Sequence, residues 1–126
     1  MSLERIVRLT PALKDDRGFI TNVLESDIKH VSVIFSMKGA VRGNHYHKQD
    51  FQHIFLVSGK YRSESKQVDI PDGRLESLIV EPGDLVITPP MVAHRMTFLE
   101  DSIQIALYTV ARDRIGYSDT YLYVLE

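Results

Sequence analysis

Short apolar runs recur along the chain between clusters of turn residues, and none keeps a helical period. The runs are "ITNVLE" (20–25), "VSVIFSM" (31–37), "HIFLVS" (53–58), "LESLIVE" (75–81), "DLVIT" (84–88) and "SIQIALYTV" (102–110). They are rich in β-branched and aromatic residues, so they predict strands. The punctuation agrees: "DDRG" at 15–18, "KG" at 38–39, "SGK" at 58–60, "PDG" at 71–73, "EPGD" at 81–84 and "PP" at 89–90, all compositions that favour tight turns. Strands spaced at roughly ten residues predict an all-β sandwich or barrel. Helix is expected only as a turn near 26–30 or 89–93, and the polar segment "KYRSESKQVDI" (60–70) reads as a solvated edge hairpin.

Composition narrows this picture without redirecting it. With 126 residues, the chain suits one domain spanning 1–126, large enough for a core of its own. Hydrophobic residues at 44% and charged residues at 25% exclude disorder and a membrane-embedded chain. The net charge of −2 and the lack of any lysine–arginine block exclude a nucleic-acid partner. The opening "MSLERIVRLT" carries charge where a secretion signal needs an apolar run, so a cytoplasmic protein is expected. There is no cysteine, which leaves nitrogen and oxygen as the donors for any metal.

Candidate chemistry concentrates in "RGNHYHKQDFQH" (42–53), which holds three of the five histidines. His45 and His47 are two residues apart and on a strand would share one face, whereas His53 should face away from Gln52. Gln52 could add an oxygen donor, and His94 could join only through the fold. Two uses stay open: ligands of one divalent ion, or an acid–base pair, since imidazole titrates near neutrality.

Reading from Gly39, five residues precede His45, one precedes His47, four precede Gln52 and six precede Gly59. This resembles the first motif of the cupin superfamily, with glutamine where that motif has an acid. "GDLVITPPMVAHRMTF" (83–98) resembles the second motif, with Met91 in place of its glycine and Phe98 in place of its asparagine. The resemblance covers roughly residues 18–110 and implies a double-stranded β-helix, the jelly-roll cupin barrel, with the histidines in its mouth. It further implies a divalent metal (Zn, Ni, Fe, Mn or Co) held by His45, His47, Gln52 and His94.

Three further stretches narrow the branch. "DDRGFIT" (15–21) resembles the opening of the deoxythymidine-diphosphate-sugar 3,5-epimerases and 3,4-ketoisomerases. "RGNHYHK" with Gln52 is similar to a motif of those ketoisomerases, and "RGNHYH" and "DTYLYVLE" (119–126) are similar to the C-terminal cupin domain of capsular-polysaccharide reductases. The implied activity is isomerisation or epimerisation of a nucleotide-linked keto-sugar by a homodimer whose N-terminal strand at 4–9 pairs across a two-fold axis. Arg17 and Arg42, with Lys48, are the candidates for a diphosphate, because arginine grips phosphate bidentately. Moving a proton beside a ketone needs a base, an acid and a group to hold the enolate oxygen. His45 and His47 are the candidate bases, and Tyr61 and Tyr108 the candidate acids. Two other readings share the motifs: a metal-dependent cupin oxygenase, and a non-catalytic sugar- or metabolite-binding module.

Overall fold

The structure is a computed structural model and describes residues 3–110 and 119–125. Twelve strands run through them: β1 (Arg5–Arg8), β2 (Leu13–Asp15), β3 (Gly18–Ile20), β4 (His30–Ser36), β5 (Val41–Tyr46), β6 (Gln52–Ser58), β7 (Tyr61–Gln67), β8 (Glu76–Val80), β9 (Asp84–Thr88), β10 (Val92–Phe98), β11 (Ser102–Tyr108) and β12 (Tyr121–Leu122). They form two five-stranded antiparallel sheets, β1-β9-β6-β11-β4 and β12-β5-β10-β7-β8, and a separate β2–β3 hairpin. The described residues contain no helix, and no helix long and apolar enough to cross a membrane.

The two sheets enclose one core. Ile54, Leu56, Val86, Ala106 and Tyr108 of the first sheet meet Tyr61, Val80, Met96 and Phe98 of the second, and full burial of each such side chain contributes about 1.5–3 kcal/mol. Strand alternation makes this interior change character along its length. The inward residues of β10 are Val92, His94, Met96 and Phe98, all buried. Phe98 pairs across the sheet with Tyr61, and His94 with Ser65 on one side and His45 on the other. One end of the barrel is therefore packed hydrocarbon, and the other is lined by imidazole and hydroxyl groups.

Three sequence expectations need correction. The predicted strand at 20–25 stops at Ile20, and 21–25 lie outside any strand. The segment at 60–70 is no solvated edge: β7 lies between β10 and β8 and buries Tyr61, Ser63 and Ser65. Its polarity misled because the interior it faces is itself polar. The turns expected as helix near 26–30 and 89–93 form none. Pro89 and Pro90 carry no backbone N–H, and Met91 turns the chain with φ 67°, a left-handed value that suits the glycine the motif normally places there.

The outer face of the first sheet is unusual. The register aligns Val33, Ile105, Phe55, Leu85 and Val7 in one row across all five strands. Their neighbours Ile34, Ala106, Ile54, Val86 and Ile6 belong to the core, so the row points away from it, open at Val33 and covered at Leu85. An antiparallel sheet facing water normally carries polar residues there, yet Val33 is 72% exposed and Phe35 57%.

Candidate active site

β5 and β10 are hydrogen-bonded neighbours, and their register sets His45 opposite His94. The two Nε2 atoms approach to 3.1 Å. Gly43 allows this approach. Its φ is 97°, and a Cβ there would lie 2.6 Å from the His94 carbonyl oxygen, inside any tolerable contact. Beside it the pairing shifts by a bulge between His94 and Arg95, a device that re-aims side chains near sites.

Behind His94 stands Glu4, a residue that sequence reasoning missed. His94 Nδ1 lies 3.4 Å from Glu4 Oε2, and both side chains are 1% exposed. The carboxylate also accepts hydrogen bonds from Ser63 Oγ at 2.5 Å and Thr88 Oγ1 at 2.6 Å, one from each sheet. Burial pushes the Glu4 carboxyl up, but His94 and the two hydroxyls outweigh it and hold it below the ordinary carboxylate range. Glu4 precedes β1 as one of several N-terminal charges, and no spacing in the sequence marks it.

His47 follows the end of β5, with its ring 5.1 Å from that of His45. Its Nδ1 donates to the backbone oxygen of Asp119 at 2.7 Å, since a carbonyl can only accept. The Asp119 carboxylate accepts the N–H groups of Lys48, Gln49 and Asp50 at 2.9, 3.0 and 2.9 Å. Partial burial raises its carboxyl, and these three donors bring it below the usual range. Asp119 thus ties the C-terminal strand to the loop after the histidines, a structural use for the "DTY" that resembled a family ending.

A cavity of about 340 Å³ opens beside this cluster, lined by His45, Gln52, Tyr108, Arg42, Ile34 and Met96 among others. Gln52 is buried there, and its Oε1 has no hydrogen-bond partner among the described residues. Tyr108 packs its ring against His30 at 5.4 Å. Arg42 donates to Ser36 Oγ at 2.7 Å and to the Phe35 carbonyl at 3.1 Å, which anchors it at the exposed mouth.

The remaining candidates lie elsewhere. Tyr61 is in the hydrocarbon end, with its ring 5.4 Å from Phe98, and burial pushes its phenol far above the ordinary range. Its place opposite Phe98, four residues along β10 from His94, explains why it does not line the cavity. Lys48 lies over the Tyr121 ring at 4.3 Å and is exposed. Arg17 sits at the turn of the β2–β3 hairpin, paired with Asp15 at 2.6 Å and exposed to solvent. His53 faces away from the cavity, as alternation from Gln52 predicts.

His45 and His94 direct their Nε2 atoms at each other and Gln52 brings no charge, so His45, His47, Gln52 and His94 are not posed around a common ion. Among the described residues, no group of three or more His, Asp or Glu is arranged to hold an ion.

Comparison with known proteins agrees with the fold and the motifs. The polysaccharide biosynthesis C-terminal domain family matches residues 13–121. The chain belongs to this family. Among solved structures it is similar to dTDP-4-dehydrorhamnose 3,5-epimerase from Sulfolobus tokodaii, with 26% identity and TM-score 0.74 over 88% of this chain and 72% of that one. It is also similar to the capsular polysaccharide assembling protein CapF from Staphylococcus aureus, with 27% identity and TM-score 0.68 over 93% of this chain. The match spans only 34% of CapF. A third is a histidine-to-asparagine mutant of the 3,4-ketoisomerase QdtA from Thermoanaerobacterium thermosaccharolyticum in complex with TDP-4-keto-6-deoxyglucose. It shares 21% identity and TM-score 0.75 over 95% of this chain and 87% of that one, a likeness of fold. No curated protein sequence matches. The two five-stranded sheets are those of an RmlC-like cupin jelly roll, as the motif spacing implied.

Proposed function

We propose that this cupin is an isomerase or epimerase of a nucleotide-linked keto-sugar in polysaccharide or deoxysugar synthesis, working by acid–base chemistry. The observation that carries the reading is the cavity with His45 in its wall and a buried His94–Glu4 pair behind that imidazole. His45 removes the proton from the carbon beside the ketone. Gln52, the neutral amide in the same wall, holds the enolate oxygen, and Tyr108 returns a proton as the acid. A cavity of about 340 Å³ lies in the range of small-ligand pockets, so the sugar enters and the diphosphate stays at the mouth beside Arg42. The family's association with polysaccharide synthesis and the likeness to a dTDP-sugar epimerase support the substrate class.

The test is proton NMR of thymidine- and uridine-diphosphate keto-sugars in heavy water with the purified protein, before and after EDTA treatment. Deuterium should enter beside the ketone, and the rate should survive chelation. No incorporation with any keto-sugar would remove the catalytic reading, and a rate lost to EDTA and restored by a divalent ion would replace acid–base chemistry with a metal centre.

The outward apolar row supports a homodimer. Its open part runs through Val33, Ile105 and Phe55 without a charge, so a second copy can pack on it face to face with nothing to repel. β1, the strand the sequence offered for exchange, is paired within the chain to β9. Sedimentation should give a dimer that Val33→Asp weakens; a monomer at micromolar concentration would remove the proposal.

A further inference from the structure

We infer that Asn44 is a positioning residue of this site: as the extra residue of a bulge in β5, it turns His45 onto the cavity face that also holds Arg42. The inference rests on the reading of His45 as the base.

Arg42 and His45 both line the cavity, yet they are three positions apart in the chain. On a regular strand an odd separation puts two side chains on opposite faces. The register shows how they come to share one. Arg42 stands opposite Met96, Gly43 opposite Arg95 and His45 opposite His94, which leaves Asn44 with no counterpart on β10. Met96 and His94 are inward residues of β10, so Arg42 and His45 face inward with them. One extra residue on one strand of an antiparallel pair makes a β-bulge. Gly43 at φ 97° and Asn44 at φ 56° accommodate it with two successive left-handed conformations, a region that asparagine tolerates better than most side chains. A β5 without the bulge would aim Asn44 at the cavity and His45 away from it.

The C-terminal residues hold this bulge from outside. The Asn44 carbonyl accepts the Tyr123 N–H at 2.7 Å, and its side-chain Oδ1 accepts the Leu125 N–H at 3.2 Å. Arg95, across the bulge on β10, donates to the Leu125 carbonyl at 2.8 Å. Leu125, itself buried, is thus tied to both strands at the point where their register shifts. If the bulge served only to seat the tail, the Leu125 hydrogen bond would matter and the backbone conformation of Asn44 would not. Substitutions at this position separate the two roles.

NMR of the full chain and solvent-proton exchange into a keto-sugar nucleotide test the inference together. In the wild-type protein, couplings that report φ should place Asn44 in the left-handed region. The His45 and His94 rings, with centroids 5.0 Å apart, should show a nuclear Overhauser contact. An extended Asn44, or no contact between the rings, would overturn the inference whether or not any variant folds. Asn44→Val carries a β-branched side chain that disfavours positive φ. It should lose the ring contact and lower kcat about 100-fold, the scale of a misplacement of about 1 Å. KM should hold, because Arg42 precedes the bulge and keeps its place opposite Met96. Asn44→Gly keeps the left-handed backbone without the Leu125 tether, and should restore the ring contact and most of the rate. Asn44→Ala is the milder form of the valine change and takes its place if that variant does not fold, with the ring contact weakened and kcat again lowered at constant KM. A folded Asn44→Val or Asn44→Ala with the wild-type ring contact and kcat, or an Asn44→Gly as slow as either, would leave Asn44 only a seat for the tail. If the wild-type protein exchanges no substrate proton at all, the catalytic reading fails, while the ring contact in the variants still decides whether Asn44 aims His45.

Discussion

Replacing His45 by asparagine should lower solvent-proton exchange into a keto-sugar nucleotide by about 100- to 10,000-fold, the usual contribution of a general base. Affinity for the nucleotide should change little, because the proposed diphosphate contact is with Arg42 at the mouth. The fold should survive, since His45 is only partly buried, near the end of β5. His47→Asn makes the contrast. That ring is 2% exposed and anchors the Asp119 backbone, so its loss should act on stability first. Exchange at the wild-type rate in His45→Asn would show that another group is the base, and Tyr108 would be the next to test because it lines the same cavity.

The largest stability effect should come from Glu4→Ala. The carboxylate accepts from Ser63 and Thr88 and stands against His94 in the closed interior, and removing it leaves two buried hydroxyls without their acceptor, about 1–3 kcal/mol for each. Its pH dependence has a definite sign. The folded carboxyl titrates below its ordinary value of 4.5, so the folded state binds fewer protons than the unfolded chain in that window. The stabilisation is complete above about pH 4.5 and is lost as pH falls through the lower, folded-state value. Urea denaturation of wild type and Glu4→Ala should therefore show a wide gap in midpoint at pH 7 that narrows progressively in acid. An equal gap at pH 7 and pH 3 would mean that the loss is one of packing, with the ionised carboxylate contributing nothing.

These two residues also mark how differently parts of the site can be read. His45 stands out in the linear chain, because a His-x-His pair framed by Gly39 and Gly59 carries a spacing that strand geometry and a family motif both explain. Glu4 carries no such sign. Its partners Ser63, Thr88 and His94 lie 59, 84 and 90 positions away, and only antiparallel pairing brings β7, β9 and β10 around it. The polar run at 60–70 failed for a related reason. Alternation of serine with charge suggests a surface when the interior is assumed apolar, and here the interior near His94 is not. Tyr61 and Tyr108 looked equivalent in sequence, but cross-strand register sent one to Phe98 and the other to the cavity wall.

The sequence by itself determined the all-β class, the cupin frame and the histidine pair, His45 and His47, that marks the candidate site. Those depend on period-two alternation, on turn residues and on short fixed spacings, which are local properties of a chain. Tertiary structure alone decided which histidine faces the cavity and which stands behind it, which tyrosine lines the cavity, and that a carboxylate from the N-terminus reaches His94. Each of those depends on sheet register and on the approach of strands far apart in sequence, where a shift of one residue would turn every side chain to the opposite face.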